Sequence, residues 1–211
     1  MSKFQRFLKI LFRYFPTRIR NVHYKRVVRK WDNKGRPVPP PHIVKELVVE
    51  EYKKKYGCRI FIETGTYRGD MIYAEKDHFD KIYSIELDEI LFRKAVNKFR
   101  KYPHITILQG DSSVLLHEVV SKLDEPALFW LDAHYSGGIT AKGDKECPIF
   151  EELKSIFASK YHHIILIDDA RCFNGTRDYP TITELTENVV KNRPGYTVEV
   201  KDDFIRLVYT G

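Results

Sequence analysis

The sequence predicts an α/β domain in which a parallel sheet carries helices on both faces. Two observations lead to this fold class. From Arg59 onward, short apolar segments and amphipathic segments alternate five times, and the chain closes with two adjacent strand-like segments. Alternating strands and helices form a parallel sheet because each helix carries the chain back to the start of the next strand. The 211 residues are enough for one such domain and an extension.

The alternation defines the elements in order. Apolar positions first predict a helix from Ile43 to Tyr56, which Gly57 ends. Strands are predicted at 59–63, 81–86, 105–109, 127–132 and 163–168, and the helices that follow them start near residues 71, 88, 113, 149 and 181. Segments 196–200 and 204–209 are predicted to form a closing hairpin.

Basic residues concentrate at the N-terminus. Residues 1–36 hold 12 of the 36 Lys and Arg residues but only one of the 29 Asp and Glu residues, so they carry +11 and residues 37–211 carry −4. The prolines that follow predict a stiff linker. We therefore expect a basic, amphipathic and helical arm at 1–36, a linker at 37–42 and a domain at 43–211.

Within the arm, apolar residues recur at helical spacing between Phe4 and Phe15 and stop at Pro16. The segment is too short and too charged for a transmembrane span, and it lacks the cleavage site of a signal peptide. Two interpretations remain open: a helix that packs on the domain or on a partner such as a second copy, and an amphipathic helix on an anionic membrane surface. Nucleic acid is disfavoured as a partner because no basic domain face follows.

Cysteine usage indicates a reducing compartment. Cys58, Cys147 and Cys172 are odd in number and widely spaced, so neither a disulfide framework nor a zinc site is predicted. We expect a cytoplasmic protein, and the membrane interpretation of the arm would place it at the inner face of the membrane.

The turn after the first predicted strand carries the first functional motif. The strand ends on Glu63 and turns through Gly65 and Gly69, which allow a ligand to approach the backbone closely. The spacing is not the G-x-G-x-x-G of dinucleotide-binding proteins. Residues 63–69 instead resemble E/D-x-G-x-x-x-G, the first motif of class I S-adenosylmethionine (SAM) dependent methyltransferases.

Two more acids end the next two strands and extend the resemblance. Glu86 resembles the second motif of that family, whose acid holds the ribose hydroxyls, and Asp111 resembles the third, whose acid or neighbouring amides hold the adenine. For Asp111 a helix cap is the alternative. The resemblance assigns SAM binding to Glu63, Gly65, Thr66, Gly69, Glu86, Asp111 and Ser112.

The resemblance covers residues 57–209 and implies a complete architecture. It predicts a Rossmann-like, doubly wound sheet of seven strands in the order 3-2-1-4-5-7-6, with the last strand antiparallel and helices on both faces. In such sheets ligands bind beyond the carboxyl ends of the strands.

Acids at the ends of the fourth and fifth strands predict the acceptor side. Asp132, Asp168 and Asp169 should lie close together and repel one another unless they are neutralised, and Mg²⁺ prefers such oxygen ligands. This arrangement resembles metal-dependent O-methyltransferases, including macrocin-type sugar methyltransferases, in which the ion holds the substrate oxygens. His134 would then accept the hydroxyl proton. A metal-free base, either His134 or Asp132, remains the alternative.

Together these features predict the reaction. The resemblance implies O-methylation of a hydroxyl on a sugar, glycolipid or polysaccharide precursor, with the glycine-rich segment 136–143 as a substrate lid. Arg171 and Arg177 suit an anionic acceptor. The alternative is a non-catalytic Rossmann-like module that docks on a membrane or a partner through the basic arm.

Overall fold

A computed structural model describes residues 17–132 and 147–211. The predicted amphipathic helix between Phe4 and Phe15, the predicted base His134 and the predicted lid at 136–143 lie outside the described residues. The chain divides into two compact units, Met1–Leu47 and Val48–Gly211.

The larger unit contains one sheet of seven strands, and their order, β3-β2-β1-β4-β5-β7-β6, confirms the prediction. Strands β1 to β5 pair in parallel, whereas β7 runs antiparallel to both β5 and β6. The strands are β1 Ile60–Thr64, β2 Lys81–Glu86, β3 Ile105–Gln109, β4 Ala127–Leu131, β5 Ile164–Ile167, β6 Tyr196–Lys201 and β7 Phe204–Tyr209.

The described helices include all those predicted from residue 43 onward, with two additions, one near the N-terminus and a short 3-10 helix. They are α1 Thr17–Asp32, α2 His42–Tyr56, α3 Asp70–Glu75, α4 Glu89–Phe99, α5 Ser112–Ser121, α6 Ile149–Phe157 and α7 Ile182–Asn192, with a short 3-10 helix at Ala170–Cys172. The sequence predicted a helical arm with its helix between Phe4 and Phe15, so the position of α1 was not predicted. Pro16 ends one apolar pattern, but a proline is also favoured at the start of a helix, and the basic residues after it obscure the apolar spacing.

Local capping explains where the helices begin. Asp88 and Asp111 accept hydrogen bonds from the backbone at the starts of α4 and α5, and Thr181 forms a reciprocal capping box with Glu184 at the start of α7. Helix α2 ends at Gly57, whose positive φ of 67° is the predicted left-handed stop.

The two faces of the sheet have different roles. Ile60 and Ile62 of β1 belong to a large apolar cluster with residues of α5, α6 and α7. Because side chains alternate along a strand, Glu63 lies on the opposite face of the sheet. On that other face Glu63 of β1 is paired in register with Trp130 of β4. The fold therefore supports one face of the central strands with a packed core and directs Glu63 to the opposite face.

The smaller unit contains helix α1 and a turn that follows it. Trp31 Nε1 donates a hydrogen bond to the carbonyl oxygen of Pro37 at 2.8 Å, and the Arg36 guanidinium lies 4.8 Å from the centre of the Trp31 ring.

Helix α1 has an exposed basic face. Lys25, Arg26 and Arg29 are exposed and share this face by helical spacing. None of the described helices has the length and apolar character to span a bilayer.

Candidate functional site

The turn after β1 is folded tightly against β2. The amides of Gly65 and Thr66 both donate to the carbonyl oxygen of Ile85, at 2.9 and 3.2 Å, and the amide of Gly69 donates to the carbonyl oxygen of Thr66 at 2.7 Å. Gly65 and Gly69 have φ angles of 85° and 64°, in the left-handed region that favours glycine. The predicted motif therefore forms a compact turn at the carboxyl edge of the sheet.

Gly69 combines this backbone conformation with close packing. A Cβ atom at Gly69 would lie 2.6 Å from the Phe99 ring. This ring is buried, so displacing it would disturb the packing around it and cost free energy. Gly57 has almost the same φ, +67°, but no atom lies within 4 Å of its Cβ position.

We expect Gly69→Ala to lower the free energy of unfolding by about 2–3 kcal/mol and Gly57→Ala by about 1 kcal/mol. Gly57→Ala measures the backbone strain alone, so the difference between the two variants reports the clash with Phe99. Urea denaturation of both variants measures this difference, and equal losses would show that Phe99 accommodates the methyl group without cost.

Glu63 is a buried acid at the end of β1. Its side chain is 3% exposed, and the Ser84 hydroxyl donates to Glu63 Oε2 at 2.6 Å. The Ser84 and Thr66 hydroxyls are in turn 2.6 Å apart, so a hydrogen-bonded chain joins the turn, β2 and the acid. Burial raises the pKa of Glu63 well above its usual range, and the nearby charge of Asp132 raises it further. Burial therefore favours the neutral form of Glu63, and a positive charge placed beside it would favour the ionised form.

Glu86 ends β2 and accepts two backbone hydrogen bonds. Tyr67 N donates to Oε2 at 2.6 Å and Asp88 N donates to Oε1 at 2.9 Å. Burial raises the pKa of Glu86, and these hydrogen bonds oppose the rise. A carboxylate offers about four acceptor positions. Both oxygens can therefore still accept a hydrogen from a ligand.

Asp111 follows β3 and serves as the helix cap that was the alternative to adenine binding. Its Oδ1 accepts a hydrogen bond from Ser113 N at 2.8 Å, and Ser112 is the buried first residue of α5. The preceding Gly110 N donates to the carbonyl oxygen of Glu86 at 2.9 Å, which brings this turn beside Glu86. The cap uses one carboxylate oxygen, so the adenine-binding role of Asp111 stays a prediction.

Asp132 and Asp168 follow paired positions on neighbouring strands. Leu131 of β4 is in register with Ile167 of β5, and each is followed directly by its acid. Asp132 N donates to the carbonyl oxygen of Thr64 at 3.0 Å, so this acid also adjoins the end of β1. Asp168 is fully buried, and its Oδ1 accepts a hydrogen bond from Asp169 N at 2.8 Å. The structure thus brings Asp132 close to Glu63 and places Asp168 at the end of the strand beside that of Asp132.

Asp169 is held by an ion-pair network that the sequence did not predict. Arg171 Nη1 donates to Asp169 Oδ1 at 2.7 Å and also to Asp203 Oδ2. The backbone reinforces this link, because Arg171 N donates to Asp203 Oδ1 at 2.9 Å and Ala170 N donates to the Asp203 carbonyl oxygen at 2.8 Å. The turn of the closing hairpin therefore holds the loop after β5.

Magnesium binding by Asp132, Asp168 and Asp169 stays a prediction. In residues 17–132 and 147–211, no group of three or more His, Cys, Asp or Glu side chains is arranged to hold a metal ion. Arg171 already supplies a positive charge beside Asp169.

Two further residues of the site, Ser84 and Lys98, were not predicted from the sequence. Ser84 is a fully buried serine between Tyr83 and Ile85, and a small polar residue in that part of a predicted strand is the sequence signal that marks it. Lys98 of α4 donates hydrogen bonds to the backbone carbonyl oxygens of Arg68 and Gly69 in the turn after β1. A lysine on an amphipathic helix has no distinguishing signal in the sequence.

Comparison with known proteins identifies the fold. No protein-family model and no curated protein matches the chain. The O-methyltransferase from Bacillus cereus in complex with SAH, the demethylated form of SAM, is 14% identical, with a TM-score of 0.60 over 89% of this chain and 90% of that chain. TomG from Streptomyces achromogenes, an O-methyltransferase involved in tomaymycin synthesis and solved with SAM, is 12% identical, with a TM-score of 0.60 over 89% of each chain. The chain has the fold of the class I SAM-dependent methyltransferases.

A third solved structure extends the match over the whole chain. The SAH-bound methyltransferase PaMTH1 from Podospora anserina is 13% identical, with a TM-score of 0.55 over 100% of this chain and 97% of that chain. At such identities the likeness concerns the methyltransferase fold alone.

Proposed function

We propose that the protein is a SAM-dependent methyltransferase that acts on a hydroxyl group. The observation that supports this most directly is the placement of Glu63, Glu86 and Asp111 at the ends of three neighbouring strands. Two of these acids are buried and accept hydrogen bonds from the protein. A desolvated carboxylate is costly unless it has partners, so a ligand that supplies hydrogens or positive charge accounts for this placement.

The donor set fits SAM. When bound, SAM supplies a methyl group that is activated by a sulfonium. Glu86 would accept the two ribose hydroxyls, and Glu63 would attract the cationic amino-acid end of the ligand. Asp111, or an amide beside it, would hold the adenine. These residues orient the ligand, so positioning supplies most of their contribution to the rate.

The acceptor hydroxyl would lie beside Asp132 and Asp168. As its oxygen bonds to the methyl carbon and the carbon–sulfur bond breaks, its proton passes to Asp132, or to His134 as the alternative base. Burial of Asp168 and its hydrogen bond from Asp169 N make it suited to orienting a group and poorly suited to exchanging protons with water.

We propose a sugar or glycolipid precursor as the acceptor. Arg177 is exposed in the loop after β5 and has a positive φ of 54°. A left-handed conformation is unusual for arginine and is often retained at binding sites. An exposed guanidinium there suits a phosphate on the acceptor. Methylation of phosphosugars by the purified protein, with SAM as the donor, tests this substrate class.

Titration calorimetry with SAM and SAH tests the proposed function directly. Binding of both ligands, with no binding of NADH, would support it. If neither ligand binds, the methyltransferase proposal fails, and the non-catalytic module that docks through its arm becomes the better account.

A second proposal concerns the arm and rests on the exposed basic face of α1. We infer that Lys25, Arg26 and Arg29 attract the arm to anionic lipid headgroups. In the full chain, changing all three to Gln should weaken binding to vesicles with 30% phosphatidylserine about 100-fold, since each charge contributes about 1 kcal/mol.

The matched control changes the exposed Lys122, Lys191 and Lys201 to Gln, which removes the same charge from the larger unit. Vesicle sedimentation measures both variants. Equal loss of binding in the two would mean that overall charge, and not the face of α1, drives the association.

A further inference from the structure

Lys98 joins helix α4 to the turn after β1. Its Nζ donates to the carbonyl oxygen of Arg68 at 2.6 Å and to that of Gly69 at 2.9 Å. Two backbone carbonyl groups from consecutive residues thus point at one ammonium group. Such charge-assisted hydrogen bonds are about twice as strong as neutral ones.

The surroundings of the ammonium group reinforce this position. Asp70 Oδ1 lies 3.9 Å from Nζ, and the rings of Phe99 and Tyr73 have their centres 5.1 and 5.6 Å away. Ring faces attract cations, and the aliphatic part of the lysine can pack along them. The side chain is one-third exposed, so its ammonium group is still partly in contact with water.

The turn needs such support because its own helix is short. Helix α3 has six residues, and Gly69 at its start provides no side-chain cap. The amide of Gly69 is used within the turn, where it donates to the Thr66 carbonyl oxygen. Without Lys98, the Arg68 carbonyl would lose its charged donor and the turn would be less constrained.

Helix α4 also reaches Glu86 at its other end. Asp88 caps α4, and its amide donates to Glu86 Oε1 at 2.9 Å. The turn contacts the same acid through Tyr67 N, which donates to Oε2 at 2.6 Å. One rigid helix therefore holds both the turn and the acid that the turn contacts.

We propose that Lys98 is a positioning residue that keeps the turn at residues 65–69 in the conformation that binds the ligand. The role of Lys98 in ligand binding rests on the proposed SAM site. Its role in constraining the turn does not depend on that site. The charge of Lys98 also favours the ionised form of Glu63, which links the same residue to the pH dependence of binding.

The test uses the full chain with Lys98→Met, which keeps the aliphatic length but removes the charge and the donors. Hydrogen exchange without ligand should become at least tenfold faster at the amides of Tyr67 and Gly69. Calorimetry should show SAM binding about tenfold weaker, and the pH at which binding reaches half of its plateau should rise. A merely structural role would not move this pH.

Two further variants complete the experiment. Lys94→Met changes an exposed lysine one turn earlier on α4 and should leave exchange and binding unchanged. Lys98→Arg keeps the charge and should restore the wild-type pH midpoint, while its planar donors recover only part of the exchange protection. It also decides the question if Lys98→Met does not fold.

The outcomes separate this inference from the proposed function. Unchanged exchange at Tyr67 and Gly69 in Lys98→Met would overturn the hold on the turn. Faster exchange with unchanged SAM affinity would overturn the role in ligand binding. If the wild-type protein binds neither SAM nor SAH, the proposed function fails, and the exchange measurement still decides whether Lys98 holds the turn.

Discussion

Glu86→Gln is expected to weaken SAM binding about 100-fold while the protein stays folded. Hydrogen bonds to a charged group contribute about 1.5–3 kcal/mol each, and about 2.7 kcal/mol corresponds to a factor of 100. The amide also places an NH₂ group opposite either Tyr67 N or Asp88 N, both of which donate to the native carboxylate. The turn after β1 therefore loses a contact together with the ligand.

Glu89→Gln is the matched control for this experiment. Glu89 lies three residues later, is exposed and pairs with Arg93 on the surface of α4. It should bind SAM like the wild type, since exposed pairs contribute little. Calorimetry measures both variants, and a Glu86→Gln affinity within threefold of wild type would remove Glu86 from the binding site.

Glu63→Gln should stabilise the ligand-free protein at neutral pH and at the same time weaken SAM binding. Burial raises the pKa of Glu63 above its value in the unfolded chain. The folded state then binds the proton more tightly, so the free energy of unfolding falls as pH rises from the unfolded pKa through the folded one. Glutamine carries no titrating proton and removes this loss, and its carbonyl oxygen can still accept the hydrogen bond from Ser84.

The charge of Glu63 should also make SAM binding depend on pH. Wild-type affinity for SAM should rise with pH, because the cationic end of the ligand favours the charged form of Glu63. The dependence reflects all the charges around Glu63, namely Asp132 and Glu86, which oppose its ionisation, and Lys98, which favours it. In Glu63→Gln this dependence should flatten.

Thermal unfolding and calorimetry between pH 5 and 9 measure these two effects. Each 1 kcal/mol gained raises the melting temperature of a protein of this size by about 2–4 °C. Glu187→Gln, at an exposed position of α7, is the control and should change neither quantity. A lower melting temperature for Glu63→Gln at neutral pH would contradict the account of Glu63 as a costly buried acid.

Much of the site could be predicted from the sequence because it follows from local patterns. The acids Glu63, Glu86 and Asp111 follow apolar runs, and a parallel sheet brings the carboxyl ends of its strands to one edge. The positive φ angles of Gly65 and Gly69 were likewise implied by their spacing in the turn.

The partners of these residues could not be predicted in the same way. Nothing near Asp169 in the chain indicates that Arg171 also contacts Asp203, because the latter reaches it only through the pairing of β7 with β5. The role of Asp111 could not be decided from the sequence either. Its spacing fits a ligand contact and a helix cap equally, and the structure shows the cap.

The sequence by itself determined the order of strands and helices, the turn that follows β1 and the acids that end the strands. Each of these depends on periodicity and turn chemistry within a few residues. Tertiary structure alone decided that Glu63 is desolvated, that Ser84 bonds to it and that Lys98 holds the turn. Burial and long-range hydrogen bonds arise only when distant segments pack together, and they set the charge state and rigidity of the site.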